Sequence, residues 1–474
     1  MEWYLALALL LGTVCTAMFL GLPVAFAFFA ANVLGTALFI NGDIGLVLMP
    51  LEFHNAIKFT LAPIALFLLM GEILLQTGVA FKAIGAIDRL IARVPGRLAV
   101  VAIVGGTVFS SLSGSTIANT AILGSVLLPD MMKRGYQPSM AMGPIMLIPP
   151  SALAVLLASL AEQSVAQLLI AGIVPGILMA VLFFGYVVGR CAINPELAPA
   201  YEAETDALDQ AVTISLNVMD RSWLSWTYAG RYRRAVNRIL PSVLYVLPLF
   251  VIFVVVVGSI FFKLAAPTEA AALGCLASLG VCYAFRMFRN TIQVSGIEGA
   301  DFDWRAIAKA LLETAKINTM ILFIIAGSLV FSQALSNSGA TQGLLQYIAA
   351  MDLTPLTVVI MMMLVLLFLG AFMDQVSMLL LTLPFFLLSS QSLQVVFNID
   401  VIWLMVLMLI TMEISLLTPP FGLLLYVMKG VAPFGVTLGQ VVRAALPFIL
   451  IELAVLILLI FVPDVATWLP KQLE

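Results

Sequence analysis

Apolar residues run along this 474-residue chain in blocks of about 20, the length a helix needs to cross the hydrocarbon core of a bilayer. The blocks lack the strict apolar-polar alternation of membrane-barrel strands, so they predict helical spans. Residues 98–130 are too long for one crossing and too short for two, which take about 40 residues, and their middle holds the polar stretch "SSLSGSTIANT" (110–120). That combination predicts a re-entrant helical hairpin turning at "SLSGS". The next span, 139–159, is interrupted by "LIPPS", where Pro149 and Pro150 each lack an N–H and disfavour helix at the preceding residue. A helix over 165–189 closes the unit.

The second half repeats this order. "GSTIANTAILGSVLLP" (114–129) is matched by "GAFMDQVSMLLLTLP" (370–384), "LIPPSALAVL" (147–156) by "LLTPPFGLLL" (416–425), and "AGIVPGIL" by "AALPFIL". Residues 241–285 read as two helices split near "FFKLAAPTEA". The expected organisation is a first repeat over 1–190, a connector over 191–240 and a second repeat over 241–474. Each repeat divides into scaffold helices (1–97 and 241–354) and a part made of hairpin and broken helix (98–190 and 355–474).

Charge sets the orientation. Lys and Arg cluster around Lys82 to Arg97, Lys133 and Arg134, Arg190 to Arg238, and Arg286 to Lys309, which marks those loops as cytoplasmic by the positive-inside rule. No Lys or Arg occurs between Lys316 and Lys429, so the second hairpin, 355–385, enters from the opposite side to the first. The repeats are therefore expected to be inverted, with both termini external and the connector cytoplasmic. Within the connector, "RSWLSWTYAGRYRR" (221–234) suggests an amphipathic helix on the membrane surface. Composition agrees with a polytopic membrane protein: 63% hydrophobic against 10% charged residues leaves too little polar surface to cover a soluble globule. A net charge of −3 without a basic tract argues against nucleic acid as a partner.

Inverted repeats with broken helices meeting near the midplane are how secondary transporters are built. A broken helix presents unpaired carbonyls at one fragment's C-terminus, which suit a hard cation such as Na⁺. It presents unpaired N–H groups at the next N-terminus, which suit an anion. At the first tip Ser110, Ser111, Ser113, Ser115 and Asn119 add neutral oxygens beside Gly114, and carbonyls near Ile148 and Pro149, with Ser151, complete a cage. At the second tip Gly370, Met373 and Asp374 face the break at Thr418, Pro419 and Pro420. An acid at membrane depth, such as Asp374, is expensive and tends to be functional.

With "FLGLPVAFAF", "SGSTIANTAILGSVLLPDMMKRGY", "GPIMLIPPSALAVLLAS", "APTEAAALG", "GAFMD" and "LLTPPFGLLLYVMKG" in order along nearly its whole length, the chain resembles the large membrane subunit of the tripartite ATP-independent periplasmic (TRAP) transporters. The resemblance implies an all-α elevator-type symporter of the bacterial inner membrane, taking up a small organic anion, usually a carboxylate, with Na⁺ as coupling ion and no other cofactor. It implies two partners, a soluble periplasmic substrate-binding protein and a small four-helix membrane subunit. Because the chain starts at the first repeat, the small subunit is expected from another gene. By motif, the first sodium site falls on Ser113, Gly114, Ser115 and Asn119 with the backbone at Pro149 and Pro150. The second falls on Gly370, Met373, Asp374, Thr418 and Pro419, and the substrate carboxylate is expected against Ser111, Ser115, Ser151 and Pro420. Two departures are Asn119, where the family often has a smaller residue, and the long connector. A carrier of the same architecture working with sodium or protons but without a binding protein fits these residues too.

Other titratable groups remain open at this level. Glu72, Glu269 and Glu413 sit in apolar stretches, where a proton relay, a basic partner and a hydrogen-bonded structural role are all readings, and Glu413 is close enough to the second break to orient it. The four cysteines have no metal-ligand spacing and read as ordinary buried thiols. A single histidine, His54, is no metal site, and the chain carries no HExxH, GxSxG with a partner His, or close Asp pair, so an enzyme is not expected.

Overall fold

The computed structural model describes residues 2–40, 50–51, 54, 61–91, 94–113, 116–146, 151–199, 214–215, 225–226, 233–287, 303–387, 392–419 and 422–472; for 89, 108–113, 118, 151–152, 214–215, 225–226 and 233–238 the description extends to the backbone alone. The described chain is helical apart from one antiparallel pairing of Ile214–Ser215 with Ser225–Trp226. Ser225–Trp226 of that pairing fall within the stretch that the sequence reads as a surface helix, and the next described helix starts at Arg233. The local run of Trp, Thr and Tyr favours extended backbone.

The first half contains α1 (Trp3–Phe19), α2 (Val24–Phe39), α3 (Ala62–Gln76), α4 (Val79–Leu90), α5 (Arg97–Ser113), α6 (Thr116–Lys133), α7 (Pro138–Met142), α8 (Ser151–Leu160), α9 (Val165–Ala171) and α10 (Ile173–Ile193). The second contains α11 (Arg233–Phe261), α12 (Pro267–Met287), α13 (Trp304–Asn337), α14 (Ala340–Ala349), α15 (Pro355–Gly370), α16 (Gln375–Phe386), α17 (Leu393–Val396), α18 (Val401–Leu416), α19 (Leu423–Val431), α20 (Leu438–Phe461) and α21 (Asp464–Lys471). Five stretches among the described residues are long and apolar enough to cross a membrane unaided: Val165–Ile193, Ile239–Phe261, Pro267–Met287, Trp304–Asn337 and Leu438–Phe461. Outward-facing Phe250, Val254, Leu450 and Phe461 are exposed, as lipid contact requires. The 34-residue α13 spans about 51 Å at 1.5 Å per residue, well beyond a hydrocarbon core of about 30 Å. Its first turns, carrying Arg305, Lys309 and Lys316, therefore project past the apolar slab; the sequence read them as part of a polar loop, but "WRAIAKALLETAK" is rich in strong helix formers.

Helices pair across the two halves. Helix α13 packs on α2 and α3, α12 on α3, α11 on α4, and α14 on α1, while α19 packs on α6 and α20 on α7 and α10; within the second half α15 packs on α18. Buried side chains weld these pairs. Asn32 Nδ2 donates to the Gly327 carbonyl at 2.8 Å, Phe28 and Phe331 stack edge-on, and Cys275 and Cys282 both face α3, through the Leu66 carbonyl and the Thr77 hydroxyl. All four cysteines are free thiols. The second group of helices reaches the first through Ser328, whose hydroxyl donates to the Leu380 carbonyl at 2.9 Å.

The repeat also shows in its corners. Helix α3 turns into α4 with a bend of 67°, and Gly78 at the corner has φ +73°; α13 turns into α14 at Gly339, with φ +72°. Both lie in the left-handed region, where a Cβ meets the following carbonyl. Gly78→Ala and Gly339→Ala are each expected to lower stability by about 1–2 kcal/mol. Gly12→Ala, mid-helix with open space around it, is expected to raise stability by roughly 0.5–1 kcal/mol. Thermal unfolding of the detergent-solubilised protein checks the opposite signs.

Candidate functional site

The second hairpin begins with Thr354, whose hydroxyl accepts the Thr357 N–H, followed by Pro355 at the first helical position, two features that start a helix firmly. Helix α15 ends at Gly370 because the next residues form a turn and Asp374 then caps α16. Its Oδ2 accepts N–H groups of Val376 and Ser377 at 3.1 and 3.3 Å, and Oδ1 accepts the Ser377 hydroxyl in a short bond. Opposite the tip stands α18, started by Asp400 as N-cap and tied to α20 by a 2.8 Å bond from Trp403 Nε1 to the Leu459 carbonyl. This helix stops at Leu416, and the chain runs through Thr418 and Pro419 before α19 begins after Gly422. Thr418 folds back on the helix end, its hydroxyl donating to the Ile414 carbonyl at 2.9 Å.

Tip and break touch. Gly370 lies so close to Ser415 that an added Cβ would overlap the Ser415 side chain, so only glycine lets the hairpin seat there. Next to the contact, Glu413 is 3% exposed and accepts a 2.8 Å bond from Gln375 Nε2, at the start of α16. The same oxygen receives the Thr116 hydroxyl, at the start of α6, at the long distance of 3.5 Å. One carboxylate thus links the second helices of both hairpins, a hydrogen-bonded positioning role for Glu413. Glu72 accepts from Gln76 within its own helix, and Glu269 is exposed and accepts the Ala266 N–H at a helix start. His54 is exposed.

Of the second expected site, Gly370 and Met373 are buried, Asp374 and Thr418 are half-buried, and Pro419 is exposed; all stand at the tip or at the break beside it. Of the first, Asn119 is buried one turn beyond Thr116 on α6. Gly114, Ser115, Pro149, Pro150 and Pro420 lie outside the described residues, as do the side chains of Ser111, Ser113 and Ser151. Residues 147–150 lie outside the described residues; before them α7 passes into a 3₁₀ turn at Gly143–Ile145, and after them α8 starts at Ser151. Sequence reasoning passed over Thr116, Gln375, Ser377 and Ser415. Each is a polar residue beside an expected site residue, and that adjacency was the available signal.

Asp374 supplies a charged oxygen and Thr418 a hydroxyl beside the carbonyls of an interrupted helix, a donor set that suits a hard cation. Helix α19 differs from α16 at its start: Gly422 brings no capping side chain, so no N-cap side chain accepts from its first N–H groups. Gly370→Ala is expected to destabilise the protein by about 1–3 kcal/mol through overpacking, and Ser415→Gly in the same chain to recover most of the loss, read from paired thermal melts.

Residues 11–465 match the family described as the tripartite ATP-independent periplasmic transporter, DctM component. Among similar proteins, the C4-dicarboxylate TRAP transporter large permease protein DctM of Pseudomonas aeruginosa is 31% identical over 430 residues, covering 89% of this chain and 88% of that one. The sialic acid TRAP transporter large permease protein SiaM of Vibrio cholerae is 24% identical and covers 96% of each. In fold, the chain is similar to the crystal structure of the Alcanivorax borkumensis YdaH transporter, with a TM-score of 0.50, 13% identity, and coverage of 90% of this chain and 89% of that one. Helical architecture, interrupted hairpins and a match over nearly the full length agree: the chain belongs to the DctM family, the large permease component of TRAP transporters, and is a membrane transport protein and not an enzyme.

Proposed function

We propose that this permease carries out sodium-coupled uptake of a small organic anion bearing a carboxylate across the bacterial inner membrane, with both termini on the periplasmic side. The observation that carries the reading is the seating of the Gly370–Asp374 tip on the broken end of α18. It sets an acid and helix-end carbonyls on one side, and an uncapped helix N-terminus, α19, on the other. A cation among the former screens Asp374, and the substrate carboxylate then meets the α19 N–H dipoles with less repulsion. Each ligand raises the other's affinity, and such coupling is reciprocal.

Sodium at the first site would use Ser113, Gly114, Ser115 and Asn119 with the backbone at Pro149 and Pro150. At the second it would use Gly370, Met373, Asp374, Thr418 and Pro419. Ser111, Ser115, Ser151 and Pro420 lie where the anion is expected. The curated relatives are named for C4-dicarboxylates and for sialic acid, and both are carboxylates, which supports that substrate class. The two packing groups support an elevator: helices α5 to α10 with α15 to α21 carry the tips and breaks, and α1 to α4 with α11 to α14 make a frame for them to slide against. A small four-helix membrane subunit against the frame and a periplasmic binding protein delivering substrate complete the assembly.

Asp374 caps a helix as well as facing the break, so its two roles need separate variants. Asn caps as well as Asp, so Asp374→Asn is expected to keep thermal stability but raise the Na⁺ concentration for half-maximal uptake roughly tenfold, equivalent to about 1.4 kcal/mol of ion binding. Asp374→Ala loses the cap too, at about 1 kcal/mol of stability. Uptake of radiolabelled dicarboxylates and sialic acid into proteoliposomes, with and without Na⁺ and with and without the binding protein encoded nearby, checks the scheme. Sodium-independent uptake, or full uptake without the binding protein, would overturn the corresponding part.

A further inference from the structure

A pocket of about 410 Å³ opens between the two packing groups, walled by Met70 of α3 and Val256 of α11 on one side and by α10, α18 and α20 on the other. Its described lining is apolar except for Thr107 and two acids, Glu413 and Glu452. Glu452, in the middle of α20, is 2% exposed, and its Oε2 has no hydrogen-bond partner among the described residues. Glu413 is held as an acceptor by Gln375 and Thr116. The lining contains no basic side chain among the described residues. The other charged or titratable groups of the helices packed on α18 and α20 lie elsewhere: Tyr186, Arg190 and Cys191 on α10, Asp374 at the cap of α16, Tyr426 and Lys429 on α19, and Asp464 and Lys471 on α21. Arg443 and Asp400 stand at the starts of α20 and α18 themselves.

Two carboxylates facing one apolar pocket cannot both stay ionised without a counter-charge, because each burial is unfavourable and each repels the other. A metal cation is a poor answer here. The described lining offers two carboxyls and one hydroxyl, and no group of three metal-ligating side chains exists among the described residues. A proton is the better one. We infer that Glu413 and Glu452 form a site for a single proton at the boundary between the two helix groups, with Glu452 carrying it and Glu413 remaining the ionised acceptor. This site stands on packing alone and does not depend on the sodium-coupled reading. Its consequence is mechanical: Glu413 links both hairpins through Gln375 and Thr116, so a second charge appearing on Glu452 perturbs the carboxylate that holds them.

Infrared difference spectroscopy of the full-length protein in nanodiscs, titrated from neutral to alkaline pH in H₂O and D₂O, tests the site. A protonated-carboxyl C=O band is expected at neutral pH in wild type and in Glu72→Gln, lost on alkalinisation and missing from Glu452→Gln. In Glu413→Gln, where the neighbouring charge is gone, the band is expected to vanish at a lower pH than in wild type, which keeps the test alive if Glu452→Gln does not fold. Replacing choline by Na⁺ at fixed pH is expected to leave the band in place. No band in wild type, a band surviving in Glu452→Gln, an unmoved titration in Glu413→Gln, or a band abolished by Na⁺ would each overturn the proposal.

Discussion

A peptide group inside a bilayer has no water to bond, so a helix can stop at that depth only where other protein groups take over its freed donors and acceptors. The architecture of this permease follows from that constraint. At the second tip and break the structure supplies substitutes: Asp374 takes two N–H groups of α16, the Thr418 hydroxyl takes a carbonyl at the end of α18, and Gly422 returns its N–H to the Thr418 carbonyl at 3.1 Å.

The constraint also explains why the closest packing sits at the interruptions. Gly370 against Ser415 brings the hairpin tip onto the helix end with no intervening side chain, which excludes lipid and confines the polar groups to the gap. Glu413, one turn before Thr418, then serves both hairpins at once. A buried carboxylate is an expensive linker, and in its favour a single oxygen accepts donors from two different helices. Where the two helix groups meet, by contrast, most contacts are apolar and shape-limited, apart from isolated bonds such as Ser328 to Leu380.

Asp374 is fixed by the helix it starts: its carboxylate accepts two N–H groups of α16, so the side chain is already ordered at the tip. The equivalent stretch of the first repeat has the amide of Asn119 and no acid, so the two halves are alike in backbone plan and unlike in charge.

The helical class, the tip at Gly370–Asp374 and the break after Leu416 were legible in the sequence, because hydrocarbon imposes a length on every span and proline, glycine and small polar residues are what break one. The hairpin boundaries at 355 and 385 fell within a residue of α15 and α16 for that reason. The strand pairing in the connector and the early start of α13 were not legible, since away from the bilayer core no length rule applies and local propensity competes with packing. Nor were the partners of the carboxylates: Glu413 is 38 positions from Gln375 and 297 from Thr116, and no spacing rule relates residues that far apart. The sequence by itself determined where the backbone is interrupted, through residues that cannot continue a helix. Only the tertiary structure decided which interruptions meet and which acids face one another, because those depend on how helices from distant parts of the chain pack.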